Sequence, residues 1–166
     1  FSTPYSRSAW DGAVRNLLET GEDGRTLLVV TLLKILINNQ FHLVWPQVRE
    51  CLVQTGEVGL ETTAALAREK MRVSPETPLW QQQDMVQLCM ALIAFGEKGR
   101  PHVKELAQAR NWNIRKAVAI AIGASLDAAL GHILIGYLND PEWQVRASAA
   151  ESMGRLGIAR GTLGPP

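Results

Sequence analysis

The spacing of five tryptophans is the feature that most constrains how this 166-residue chain can fold. Trp10, Trp45, Trp80, Trp112 and Trp143 lie 35, 35, 32 and 31 residues apart. Such regularity is not expected of a residue that occurs only five times. Self-similarity at a period of this size is typical of repeat proteins, in which one small structural unit recurs along the chain.

Two further patterns keep the same register. An aliphatic residue followed by arginine comes within five residues of most tryptophans, at Val14-Arg15, Val48-Arg49, Ile114-Arg115 and Val145-Arg146, with Val86-Gln87 as a looser third copy. The segment 20–24 (TGEDG) recurs as 55–59 (TGEVG) and more loosely as 95–99 (FGEKG). Three patterns with one period predict a true internal repeat.

The apolar residues between these marks follow the helical period. In the segment 126–138, for example, they stand at Leu126, Leu130, Ile133, Leu134 and Leu138, and no strand-like alternation competes with this spacing. Prolines near helix starts and glycines near helix ends mark the boundaries, as at Asp140-Pro141, where we expect a helix to begin. The predicted helices are 9–20, 25–38, 45–55, 60–72, 80–96, 101–109, 112–123, 127–138 and 142–156.

Short helices in pairs cannot bury their apolar faces alone, so neighbouring repeats must stack. The sequence therefore predicts one all-α solenoid domain over residues 1–160, with about nine helices in four to five repeats. The predicted repeats are 9–39, 44–73, 78–109, 111–138 and 142–157. Residues 74–78 (SPETP) are predicted to form a loop, and residues 161–166 a flexible tail.

Composition narrows the class of protein. Hydrophobic residues make up 46% of the chain and the net charge is only +1, which argues against disorder and against partners held by bulk charge. The densest apolar stretch, 27–37, is too short to cross a bilayer as a helix. Two cysteines suit a reducing compartment, so a cytoplasmic protein is expected. Because the chain begins with Phe1, we expect a processed or excised piece.

The segment 139–157 (NDPEWQVRASAAESMGRLG) resembles a HEAT repeat, especially the bacterial kind also found in phycobilin lyases. The segment 111–119 (NWNIRKAVA) is a second match, and weaker copies extend the resemblance over nearly the whole chain. The resemblance implies a right-handed α-α superhelix whose Val-Arg helices line the concave side. It also implies that the chain starts and ends with an inner helix.

In HEAT-like proteins the arginine after the aliphatic residue typically bonds an acidic or amide side chain near the turn. By this resemblance Arg115 would bond Asn111 or Asn113, and Arg146 would bond Asp140. We therefore expect a structural ladder made of Arg15, Arg49, Arg115 and Arg146. The alternative is a row of anion-binding arginines along the groove, because guanidinium groups match carboxylates and phosphates.

No constellation for catalysis or metal binding stands out, so no cofactor, no metal and no catalytic residue are predicted. His42, His102 and His132 lack the spacing of metal ligands on one helix, and His102 is expected to be solvated. HEAT-like hydroxylases hold iron on His-Glu pairs, which are absent here. Cys51 and Cys89 take the same place in successive repeats, and stacked repeats are too far apart for a disulfide. Two free, buried thiols are expected.

The tryptophans have two interpretations. They could form an exposed aromatic strip along a binding groove, since tryptophan is enriched in interface hot spots. The favoured interpretation is an anchor in the first helical turn that packs on the adjacent repeat. If some are exposed, Trp112 and Trp143 are the best candidates. The predicted partner-binding residues are then Trp112, Asn113, Lys116, Trp143, Gln144, Glu151 and Arg155.

The leading functional hypothesis is a non-catalytic interaction or scaffold module that binds another protein or peptide on its concave surface. One alternative, from the resemblance alone, is a phycobilin lyase or lyase subunit that handles a bilin chromophore. A less favoured one is a HEAT-like DNA glycosylase, for which Trp80 with Asp84 is the nearest pair. The low net charge makes nucleic-acid binding unfavourable. Self-association through uncapped end repeats is a further possibility.

Overall fold

The computed structural model describes residues 7–38, 43–72 and 80–157, and these residues form nine α-helices without a strand. The helices are α1 (Arg7–Glu19), α2 (Glu22–Leu36), α3 (Trp45–Gln54), α4 (Glu57–Met71), α5 (Trp80–Ala94), α6 (Arg100–Leu106), α7 (Trp112–Ser125), α8 (Gly131–Tyr137) and α9 (Trp143–Leu156). The prediction of an all-α fold with nine helices is confirmed. The predicted loop 74–78, the tail 161–166, His42 and the side chain of Trp80 lie outside what is described.

The helices form two layers. In the odd layer, which consists of α1, α3, α5, α7 and α9, α3 packs against α5, α5 against α7 and α7 against α9. In the even layer, which consists of α2, α4, α6 and α8, α2 packs against α4 and α4 against α6. Each helix also packs on its sequence neighbour in the other layer. Because contacts run mainly between adjacent repeats, the described chain is an α-solenoid.

One continuous core runs between the layers, from Val14 in α1 to Met153 in α9. The odd helices contribute a buried stripe with the spacing i, i+3, i+4, i+7, i+8, which is one face of a helix. In α7 the stripe is Ile114, Ala117, Val118, Ala121 and Ile122, and in α9 it is Val145, Ser148, Ala149, Ser152 and Met153. These stripes begin at the aliphatic member of the Ile-Arg and Val-Arg pairs.

The third copy of this pair differs from the prediction by one residue. In α5 the buried stripe begins at Met85, and Val86 is only half-buried. The equivalent of Val48 is therefore Met85, not Val86. By the same shift Cys89 aligns with Leu52, while Cys51 aligns with Leu88, so the two cysteines do not occupy the same place. Both remain free and buried, as expected.

Helix boundaries agree with the prediction to within two residues, except that α2 and α4 begin three residues earlier, α6 ends three residues earlier and α8 begins four residues later. α8 begins at Gly131 because residues Ala128–Leu130 form a 3-10 turn, opened by Asp127 Oδ1, which accepts a hydrogen bond from the amide of Ala129 at 3.0 Å. α9 begins at Trp143, and Asp140 Oδ1 accepts from the amide of Glu142 at 2.9 Å, so the helix starts just after the predicted Asp-Pro corner.

A left-handed backbone residue follows the last turn of α7 and of α9. Gly157 takes this conformation with φ 65°, which glycine adopts without steric cost. At the same place after α7 stands Leu126, with φ 57° and an exposed side chain. Leu126 therefore carries backbone strain that glycine would not.

Candidate functional site

Four of the five tryptophans stand at or near the start of an odd-layer helix and have described side chains. Trp10, Trp45 and Trp112 are partly buried and pack against the core. Trp143, the first residue of α9, is 64% exposed. The anchor interpretation therefore describes three of them, and Trp143 is the exposed aromatic residue at the end of the described stack. Tryptophan is one of the residue types enriched in interface hot spots.

Two predicted partner-binding residues sit just before the buried stripes. Asn113 in α7 is buried, and its backbone amide donates a 2.9 Å hydrogen bond to Asn111 Oδ1, which caps the helix. Gln144 in α9 occupies the equivalent place and is half-buried. Its Oε1 is shielded from solvent and accepts no hydrogen bond from the described residues. An unsatisfied buried acceptor is costly, so Oε1 of Gln144 adds a local energetic cost at this position.

The remaining predicted residues are charged. Lys116 on α7 is half-buried, and Glu151 and Arg155 on α9 are exposed. Arg155 Nη2 donates to Glu151 Oε1 at 2.7 Å, an ion pair one helical turn apart. An exposed pair of this kind contributes little to stability, because water and salt screen it. Its two groups remain accessible to a partner at the helix surface.

Arg115 forms a bidentate ion pair between repeats. Its Nε and Nη2 donate to the two carboxylate oxygens of Asp140 at 2.7 and 2.9 Å. Its Nη1 donates to the carbonyls of Ala109 and Arg110. The acceptor carboxylate thus belongs to the following repeat and is not Asn111 or Asn113, as the resemblance had implied. Arg115 ties α7 both to its own entry turn and to the turn before α9.

This environment controls the ionisation of Asp140. Burial opposes the charged form, but the hydrogen bonds from Arg115 and from the Glu142 amide, with the charges of Arg115 and Arg146, outweigh it. The pKa of Asp140 is therefore held below its ordinary value. Hydrogen bonding to Asp140 likewise outweighs burial and raises the pKa of Arg115. Both groups are charged at neutral pH, as a bidentate ion pair requires.

The other arginines of the predicted ladder differ from one another. Arg146 Nη1 donates to the backbone carbonyls of Asp140 and Pro141, both at 2.8 Å, so its partner is the Asp140 backbone and not the carboxylate. Arg49 Nη1 donates to Gln87 Oε1 at 2.9 Å, which links α3 to α5. Arg15 is exposed and bonds none of the described residues. Three of the four are thus engaged by the fold, which leaves little of an anion-binding row.

Further ion pairs join neighbouring repeats, and each involves at least one residue of an even-layer helix. Arg68 pairs with Glu105 at 2.9 Å, and Arg100 pairs with Asp127 at 3.0 Å.

His102 Nδ1 lies 2.9 Å from Arg68 Nη2, and the ring is half-buried. The prediction of a solvated His102 is therefore wrong, because the turn of α6 brings the ring against α4. His132 is exposed. No group of three or more metal-ligating side chains occurs in the part of the chain that the structure describes.

The cysteines offer no activated nucleophile. Burial raises the pKa of the Cys89 thiol to about 12. Burial also raises the pKa of Cys51, although Trp10 Nε1 donates a 3.1 Å hydrogen bond to its sulfur. Protonated thiols are poor nucleophiles, so these residues act as small core groups.

The family comparison matches this geometry. A HEAT repeat model matches residues 130–158, which contain α8 and α9 with the Asp140 turn between them. The chain therefore contains a HEAT repeat. No curated protein and no solved structure matches it. No described helix of the HEAT-repeat chain is both long and apolar enough to cross a membrane. The finer resemblance to phycobilin lyases stays a prediction.

Sequence reasoning missed two contacts that hold the helical stack together. Tyr137 is buried, and its hydroxyl donates a 2.8 Å hydrogen bond to the carbonyl of Ala107. The acceptor role of Asp140 toward Arg115 also went unseen. The sequence did contain a signal for the contact between Asp140 and Arg115, because Asp140 stands just before Pro141 at the turn that packs beside α7. No repeated motif marked Tyr137.

Proposed function

We propose that this HEAT-repeat protein is a non-catalytic interaction module whose odd layer binds a partner polypeptide, chiefly through α7 and α9. The observation that carries the proposal is the 64% exposed indole of Trp143. Tryptophan supplies a large contact area at low entropic cost and is enriched in interface hot spots. HEAT repeats generally mediate protein–protein interaction, which supports the same function.

Polar groups around Trp143 support a mixed rather than a purely apolar contact. Glu151 and Arg155 present one charge of each sign. Lys116 adds a positive charge on the neighbouring helix. An apolar centre with a polar rim is the usual anatomy of a protein interface. The family resemblance implies that the odd layer lies on the concave side of the solenoid, and the proposal includes this placement.

Affinity capture from native lysate with matched variants tests the proposal. Trp143→Ala and the double variant Lys116→Glu/Arg155→Glu remove the apolar centre and reverse the rim charge. The control is Arg25→Glu/Lys34→Glu, which reverses two exposed charges on α2 in the even layer. A partner that the wild type and the control retain and both α7–α9 variants lose supports the proposal. A partner retained by all four proteins refutes it.

A further inference from the structure

A gap opens in the odd layer between its first two members. α3, α5, α7 and α9 each pack directly on the next, whereas α1 and α3 make little direct contact, and Trp10 of α1 donates a hydrogen bond to Cys51 of α3. Between them lies a cavity of about 480 Å³, open at one side. This volume falls within the range of about 300–1,000 Å³ that is typical of ligand-binding pockets. We call it the α1–α3 slot.

The walls of the slot are apolar and its rim is charged. Trp10, Val14 and Leu18 form the wall on α1, and Cys51 closes the floor from α3. Two carboxylates face the slot from opposite helices, Asp11 from α1 and Glu50 from α3, and the rim is completed by Arg15 and by glutamines. Among the described residues that line the slot, acidic side chains therefore outnumber basic ones.

These charged groups are available to a ligand. With the side chains that the structure describes, neither Asp11 nor Glu50 nor Arg15 forms an ion pair or hydrogen bond. At two other places between stacked odd-layer helices the polar side chains pair with each other, Arg49 with Gln87 and Arg115 with Asp140. An apolar pocket with two carboxylates at its rim suits a ligand that is apolar and cationic at once, because the cation meets acidic groups while the apolar part fills the walls.

The slot lies in register with the proposed α7–α9 surface. Counted from the start of each buried stripe, Gln47 and Glu50 of α3 occupy the places of Asn113 and Lys116 of α7. A polypeptide that runs along the odd layer across α7 and α9 would therefore meet equivalent positions at the slot. This continuity favours a polypeptide over a free small molecule as the occupant.

We propose that the α1–α3 slot binds a short segment of a partner polypeptide in which a lysine or arginine stands beside large apolar side chains. The apolar side chain enters between Trp10 and Leu18, and the cation lies between Asp11 and Glu50. The inference deepens the proposed function, since it assigns the chemistry of a second contact region far along the stack from Trp143.

Three synthetic pentapeptides test the proposal by titration into the ¹⁵N-labelled protein, followed by NMR. The first is acetyl-Gly-Leu-Lys-Leu-Gly-amide, the second replaces its lysine with glutamine, and the third replaces both leucines with glycine. We expect the first to shift the Trp10 indole N–H and the amides of Cys51 and Gln54. The other two should bind about tenfold more weakly, because each lacks one of the two matched features.

Charge-neutral variants identify the site. Asp11→Asn/Glu50→Gln should lose the preference for lysine over glutamine, whereas Glu19→Gln, which removes an exposed charge on α1 outside the slot, should keep it. Equal binding of the lysine and glutamine peptides overturns the proposal, as does unchanged selectivity in the double variant. Shifts confined to α9, or no shift at the slot, overturn it too and leave the α7–α9 proposal standing. Loss of partner capture on Trp143→Ala does not bear on the slot.

Discussion

Gly123 and Gly154 occupy equivalent places in α7 and α9 but have opposite surroundings. A Cβ added at Gly123 would lie 2.5 Å from Cβ and Oγ of Ser152, so α9 rests directly on this glycine. A Cβ added at Gly154 would meet nothing within 4 Å. The same substitution, glycine to alanine, should therefore affect the stability of the fold differently at the two sites. It overpacks the interface between repeats in α7, and it only changes helix propensity in α9.

The magnitudes follow from these distances. Gly123→Ala forces α9 outward by roughly 1 Å, and overpacking of this kind costs about 1–3 kcal/mol. Alanine also gains about 1 kcal/mol of helix propensity over glycine at either site. Since the propensity gain cancels between the variants, Gly154→Ala should be more stable than Gly123→Ala by about 1–3 kcal/mol. Gly154→Ala should also equal or exceed the wild type.

Urea unfolding followed by circular dichroism measures both variants and the wild type. An unchanged dependence on urea concentration would show that the difference comes from the native state. If Gly123→Ala proves as stable as Gly154→Ala, then α9 does not rest on α7 at this glycine, and the stacking described for the last two repeats is refuted.

Three other substitutions test single contacts. Asp140→Asn removes the charge that Arg115 binds and should cost about 1.5–3 kcal/mol at pH 7. Because the pKa of Asp140 is lowered in the folded state, its stabilisation is present above the unfolded value of about 3.9 and is lost as pH falls through the folded pKa. The gap from the wild type in urea unfolding should therefore shrink below about pH 4, and a constant gap would contradict the ion pair. Tyr137→Phe leaves the Ala107 carbonyl without its donor and should lower stability by about 1–3 kcal/mol, whereas an unchanged melting temperature would show that this hydrogen bond contributes nothing. Leu126→Gly should raise stability by about 1 kcal/mol by relieving the left-handed strain, and a destabilised variant would contradict that strain.

The period of the tryptophans and the helical spacing of apolar residues were sufficient to predict nine helices and their stacking. Trp45, Trp80, Trp112 and Trp143 are each the first residue of a helix. These signals are local, because a helix start depends on capping within one turn and a buried face on the spacing within one helix. The all-α solenoid could therefore be predicted from the sequence.

Contacts between repeats were harder to predict from the sequence. The register of α5 was misplaced because Met85 and Val86 are both apolar, and only burial distinguishes them. The partner of Arg115 lies 25 residues further along the chain, whereas the resemblance pointed to the nearer side-chain amides of Asn111 and Asn113. Whether Trp143 is covered depends on the presence of a neighbouring repeat, which the pattern within α9 does not encode. Such features arise from the stack and not from a single helix.

Site-specific photo-crosslinking from α9 tests most directly whether the odd layer is the binding surface. A photoreactive benzoylphenylalanine replaces Trp143 in one variant and Leu27 of α2 in another, since the two side chains are similarly exposed at 64% and 60%. Both variants are irradiated in native lysate. The account predicts a discrete crosslinked adduct with another polypeptide from position 143 and none from position 27. An adduct from position 27 alone, or equal adducts from both, would contradict it.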